Sequence, residues 1–228
     1  MSPVDGVDTW KVEGGIGGGG VGVAEVKISG NSGAVIAAGL NHYLKYYLNS
    51  SVSWSGSHIS LPSTPLPLPT TPLLGKRGTK YFYALNTCTF SYSLAGYNVS
   101  AWESLLDLMA MQGVTLPLSL TGQEKVWRDL FLEMGLEEEE VQRWFTGSHY
   151  LAWFRMGNIR GWEGGLDDGF LDGQLELQQF IIRRQLELGM IPVLPAFAGH
   201  VPSALRRLYP SASITNSTQW AGFPVNYT

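Results

Sequence analysis

Pro62, Pro65, Pro67, Pro69 and Pro72 fall within a single run of eleven residues. Proline fixes its own φ and lacks the amide hydrogen that a helix interior or a central strand needs. Neither element can run across this stretch. It is read as a stiff linker over residues 62–78, and the rest of the chain is organised on its two sides.

On the N-terminal side, residues 1–22 are glycine-rich, with Gly14 and Gly15 followed by Gly17, Gly18, Gly19 and Gly20. The run matches the glycine fingerprint of a dinucleotide site. No strand precedes it and no helix follows directly, so a flexible segment is the expectation. Ala24 to Ser29 alternates apolar and polar residues, the pattern of a half-buried strand. Ile36, Leu40, Tyr43, Leu44 and Tyr47 then recur at helical spacing. Val52–Ser55 and His58–Leu61 flank Gly56 as a hairpin would. Residues 23–61 are therefore expected to form a small α/β domain.

Beyond the linker, strand candidates at 80–85, 115–120 and 191–194 alternate with helical stripes. One stripe carries Trp102, Leu105, Leu106 and Met109. A second, which Thr121 could cap, carries Val126, Trp127, Leu130 and Phe131. A short helix is expected near Glu137–Phe145, a glycine-rich loop over 157–170, a long helix over 175–188 ended by Gly189, and a helix opened by Pro202. Strands alternating with helices imply parallel βαβ units. A closed eightfold barrel takes about 250 residues. Residues 79–228 number 150 and offer three strands, so the expectation is an incomplete barrel, cut short on its C-terminal side.

Composition narrows the partners. The net charge is −4, and no basic cluster is present that would favour nucleic acid or an anionic membrane surface. No stretch has transmembrane length, and the first residues lack the basic head and apolar body of a signal peptide. Cys88 is the only cysteine, which excludes an intrachain disulfide and a thiolate metal cluster. His42, His58, His149 and His200 show no metal-ligand spacing, so neither metal nor organic cofactor is expected. N-x-S/T sequons at Asn49, Asn98, Asn216 and Asn226 hint at a secreted relative. Nothing in the sequence sets an oligomeric state.

Several stretches are more specific than composition. They include Gly39–Tyr47, Val52–Ser57, Asn86–Ser93, Thr121–Glu124, Phe145–Gly147, Leu151–Trp153, Arg155–Asn158 and the long block Gly189–Pro202. In order and spacing, from about Val26 to Thr228, they resemble the lysosomal α-N-acetylglucosaminidase family. The resemblance implies a small α/β N-terminal domain followed by a TIM-type barrel. It implies exo-acting, retaining hydrolysis of terminal α-linked N-acetylglucosamine on heparan sulfate, in the lysosome, without cofactor. Retention needs two carboxyl groups about 5–5.5 Å apart. The family's two glutamates have no counterpart in this sequence, so the 228-residue chain is expected to be inactive by itself.

By the same resemblance, Asn86, Cys88 and Tyr92 line the sugar site after the first barrel strand, joined by Trp162 and Trp220. Aromatic rings suit the apolar face of a pyranose, and polar groups meet its hydroxyls. Trp102, Trp127 and Trp144 lie on helical stripes and are read as core. Glu124 is read either as a pocket carboxylate or as a helix N-terminal charge. Glu163, Asp167 and Asp168 are read as solvated. The family's Trp-Trp-x-Trp run is replaced here by Ala95–Val99, its charged helix positions by Ser104 and Leu105, and a family histidine by Arg160. These departures keep open a second reading, a non-catalytic sugar-binding or interaction fragment.

Overall fold

The computed structural model describes residues 6–17, 23–62 and 65–216. They divide into two compact units. One takes the described residues of 1–84, 100–117 and 182–192, and the other those of 85–99, 118–181 and 193–228.

The first unit is built on a three-stranded antiparallel sheet ordered β2-β1-β5, from β1 (Thr9–Ile16), β2 (Ala24–Gly30) and β5 (Leu73–Lys76). The central strand corrects the expected flexible segment over 1–22, because residues 9–16 lie at the heart of the sheet. Trp10 and Val12 share one face, as strand periodicity requires, and pack toward the helix α1 (Gly33–Tyr47). Gly14 serves close approach rather than mobility. A Cβ added there would lie 2.8 Å from the Cβ of Leu68, in the returning proline segment.

β5 corrects the linker limits in the same way. Residues 73–76 begin directly after Pro72 and pair with β1, with Thr9 opposite Lys76 and Val12 opposite Leu73. Prolines bar a ladder only where they stand. The proline run is itself docked, since the Tyr43 hydroxyl donates to the Pro67 carbonyl at 2.9 Å.

α1 starts at Ser32, whose Oγ accepts from the Val35 amide at 3.4 Å. Its buried face carries Val35, Gly39 and Tyr43, whereas Ile36 and Leu40 are each 40% exposed. The apolar stripe read from the sequence is therefore rotated. The helix meets the sheet on its Gly39 side, where the missing side chain lets Ile28 and Trp10 come close. β3 (Ser51–Ser53) and β4 (Gly56–His58) form the expected hairpin in shortened form. Trp102, Leu105 and Leu106 on α2 (Val99–Met111) are buried. β6 (Tyr83–Ala84) pairs in parallel with β7 (Leu116–Pro117), and the Ile191 amide donates to the Thr115 carbonyl at 2.8 Å.

In the second unit the third strand expected at 191–194 is reduced to one parallel bridge, Leu118 with Val193. The helices are α3 (Gln123–Glu133), α4 (Glu138–Trp144), α5 (Leu151–Arg155), α7 (Leu205–Leu208) and the part of α6 (Asp168–Glu187) up to Ile181. The cap of α3 is Gly122 at φ 75°, not Thr121, and it makes no side-chain cap bond. α6 begins seven residues before the expected 175, at Asp168. Asp167 Oδ1 accepts from the Phe170 amide at 2.9 Å, and buried Leu171 anchors a first turn that Gly169 and Gly173 had disguised as loop. Phe131, Trp144, Phe145, Phe154, Leu171 and Leu205 form the core, with Trp144 and Phe154 crossing edge to face at 4.7 Å. Trp102 and Trp144 are core as read, and Trp127 packs against the second cluster half-buried. Among the described residues no helix is long and apolar enough to cross a membrane.

One packing contact in the sheet yields a direct test. A Cβ added at Gly75 would fall 2.0 Å from Cε2 of Trp10, so Gly75→Ala must displace the indole. Such overpacking costs about 1–3 kcal/mol. Urea unfolding of the variant is expected to show that loss, and an unchanged midpoint would contradict the packing described.

Candidate active site

The residues after β6 turn at once into a 3-10 helix, Thr87–Ser91. Leu85 enters it at φ 73°, a left-handed conformation rarely taken by a residue with a branched side chain. Asn86 is the cap. Its Oδ1 accepts from the Thr89 amide at 3.0 Å and the Thr89 hydroxyl at 2.9 Å, and Thr89 Oγ1 accepts from the Asn86 amide at 3.3 Å. The side-chain oxygen of Asn86 is thereby committed to the turn, which leaves its Nδ2 as the group for a ligand. Cys88 sits half-buried and unbridged on the same turn.

Tyr92 closes the turn and is 65% exposed. Its ring meets Trp153 of α5 edge-on at 5.3 Å. Trp153 meets Tyr150 at 6.2 Å, and Tyr150 meets Trp162 at 6.3 Å. Two of the residues expected to line the site, Tyr92 and Trp162, are thus joined in one aromatic row. The residues that join them, Trp153 and Tyr150, were not singled out from the sequence as site residues. The available signal was Trp153 itself, an indole within a family-like stretch on a helix too short to show a stripe. Trp220 lies outside the described residues.

The loop that carries Trp162 is fixed rather than loose. The Trp162 carbonyl accepts from the Gly147 amide at 2.8 Å. The Gln142 side chain grips the backbone of Leu166 on both sides, donating to its carbonyl at 2.8 Å and accepting from its amide at 2.7 Å. Glu163, Asp167 and Asp168 are exposed, as the sequence reading has them.

Glu124 lies in the first turn of α3, as the helix N-terminal reading has it, but it is buried there. Its side chain is 1% exposed, and both oxygens are held by Arg155 of α5, Nε at 2.7 Å and Nη2 at 2.9 Å. Arg155 also lies over the Phe90 ring at 5.8 Å. The Ala152 amide donates to Ser91 Oγ at 3.0 Å, a second tie between α5 and the turn. The ion pair and this bond seat the Tyr92–Trp153 contact. Among the described residues no three His, Cys, Asp or Glu side chains gather as metal ligands.

Removing one member of a buried, bidentate pair leaves an uncompensated charge, at a cost of about 3–5 kcal/mol. Glu124→Ala is expected to lose that much in chemical denaturation. Arg155→Met paired with Glu124→Leu is expected to recover most of it. Near-wild-type stability of the single variant would show that the pair is not structural.

Comparison with known proteins places this geometry. The family model described as the alpha-N-acetylglucosaminidase TIM-barrel domain matches residues 82–228, and that of the N-terminal domain matches residues 2–69. Human alpha-N-acetylglucosaminidase is 40% identical over 223 residues, covering 98% of this chain and 29% of the human protein. A family 89 glycoside hydrolase from Clostridium perfringens, solved with 2-acetamido-1,2-dideoxynojirmycin, superposes with a TM-score of 0.89 at 33% identity, over 98% of this chain and 25% of the bacterial one. The same bacterial enzyme, with two glutamates changed to glutamine, is known in complex with its substrate GlcNAc-alpha-1,4-galactose, again at a TM-score of 0.89, over 98% of this chain and 24% of that one. The chain therefore spans 24–29% of the length of these relatives. It belongs to the alpha-N-acetylglucosaminidase family of glycoside hydrolases.

Proposed function

We propose that this chain supplies the front wall of the sugar site of an exo-acting, retaining hydrolase that releases terminal α-linked N-acetylglucosamine, with heparan sulfate as natural substrate and the lysosome as compartment. The observation that carries the reading is exposed Tyr92, set edge-on against Trp153 on a turn capped by Asn86, directly after a parallel strand. Sites on parallel barrels are built on such segments, beyond the C-terminal ends of the strands. Within this reading Asn86, Cys88, Tyr92, Trp162 and Trp220 line the sugar site, and Trp153 joins them. The site takes no metal or organic cofactor. The organisation is a small α/β domain followed by part of a barrel.

Hydrolysis with retention needs two carboxyl groups facing one sugar. The bacterial complex with substrate was captured in a variant with two glutamates replaced, which fits that requirement. Here Glu124, the carboxylate on the element after β7, has both oxygens engaged by Arg155 and is not offered as nucleophile or acid. The 228 residues alone are accordingly not expected to cleave substrate. The second reading, a sugar-binding or interaction role without catalysis, rests on the replacement of the family's Trp run by Ala95–Val99.

A chimera separates the two. The matching segment of the human enzyme is replaced by this chain, and release of 4-nitrophenol from its α-N-acetylglucosaminide is followed. The hydrolase reading expects activity from the chimera, none from the isolated chain, and about a tenfold loss with Tyr92→Ala, the scale of one lost aromatic contact. A folded chimera without activity would favour the non-catalytic role, and cleavage by the isolated chain would overturn the assignment of catalysis to residues outside it.

A further inference from the structure

A cavity of about 300 Å³ lies within the second unit, lined by Arg160, His200, Ser203, Arg206, Thr215 and Asn216 among others. Its described lining contains no carboxylate. Arg160 Nη2 stands 3.1 Å from His200 Nδ1. A guanidinium only donates, so Nδ1 is the acceptor and the imidazole proton resides on Nε2. Burial, and then the charge of Arg160, hold the His200 pKa below its ordinary value, which keeps the ring neutral. The ring is also fixed in place, since a Cβ added at Gly157 would fall 2.1 Å from it.

The remaining polar groups lean the same way. Arg206 gives Nη2 to the Ile214 carbonyl at 3.0 Å and to Asn216 Oδ1 at 2.6 Å. This commits the only carboxamide oxygen of the rim and leaves Asn216 Nδ2 as a donor, together with Arg206 Nε and Nη1. Hydroxyls from Ser203 and Thr215 complete a lining whose side chains donate almost throughout. Two guanidiniums, an imidazole N–H, an amide and hydroxyls around a cavity without an acid are complementary to a multivalent anion. Water occupies about 30 Å³ per molecule in the liquid, so the space also admits a small body attached to that anion.

We propose that this cavity is a binding site for a tetrahedral oxyanion group, free or carried as an ester on a sugar-sized molecule, held by Arg160, Arg206 and the Nε2–H of His200. The proposal does not depend on the hydrolase reading. The charged or titratable side chains lining the cavity, among the described residues, are Arg160, Arg206 and His200.

Calorimetric titration of the 228-residue chain tests this, with sodium sulfate against a chloride buffer of equal ionic strength, and in parallel with glucose 6-sulfate against glucose. Saturable binding of sulfate is expected, with Arg160→Gln weakening it by about tenfold, the scale of one charge-assisted contact. His200→Ala is expected to weaken binding through loss of the Nε2–H donor. Where Arg160→Gln fails to fold by near-ultraviolet circular dichroism, Arg206→Gln, on an exposed side chain, is read with the same expectation. Tighter binding of the ester than of sulfate assigns the site to an esterified ligand, and the reverse order assigns it to the free ion. Heats indistinguishable from chloride and glucose, or a folded Arg variant with unchanged affinity, would overturn the proposal.

Discussion

The buried pair of Glu124 and Arg155 is where the second unit is most constrained. A carboxylate that is 1% exposed and a guanidinium that is 6% exposed have both left water. That transfer is tolerable only because the contact is bidentate and the guanidinium has an aromatic ring beneath it. The consequence reaches further than the two residues. Glu124 stands at the start of α3, Arg155 at the end of α5, and Phe90 on the 3-10 turn between Asn86 and Tyr92. The ion pair fixes α5 against α3, and Phe90 and Ser91 tie the turn to α5. The aromatic row from Tyr92 through Trp153 and Tyr150 to Trp162 follows from that placement.

The same constraint shapes what the site can do. A carboxylate just after a parallel strand is where a barrel enzyme would seek an acid or nucleophile. Glu124 occupies such a place and is withdrawn from chemistry by its partner. It acts as scaffold for the groups that touch sugar in the proposed reading. The glycine-rich loop makes a similar point. Its composition signals mobility, yet the paired hydrogen bonds from Gln142 to Leu166 and the bond from Gly147 to Trp162 hold it in one conformation. An indole on such a loop can be part of a preorganised surface, which lowers the entropy lost when a ligand binds.

In the first unit the decisive contacts involve absent side chains. Trp10 lies against Gly75 and Gly39, and β1 meets the proline segment at Gly14. A glycine run reads as freedom in one dimension because nothing in the sequence says what will approach it. In three dimensions the same residues are the places where backbone or a large ring comes nearest. The proline segment shows the converse. Its prolines do exclude regular structure where they stand, but they leave Leu73–Lys76 free to pair with β1.

The sequence by itself determined the alternation of strands and helices, the helical stripes that bury Trp102 and Trp144, the short helix α4 that Glu137 caps, and the family. These rest on local periodicity, on capping chemistry and on motif order, all of which are written in neighbouring residues. It also named Tyr92 and Trp162, through the family resemblance. Only the tertiary structure decided that Trp153 and Tyr150 connect those two, that α1 turns Ile36 and Leu40 outward, that α6 begins at Asp168, and that Glu124, in the first turn of α3, is buried against Arg155. Two of these depend on a partner distant in sequence: Arg155 stands 31 residues from Glu124, and Trp153, on α5, meets Tyr92. Periodicity reports which way a residue faces along its own element. It carries no record of which remote side chain will meet it there.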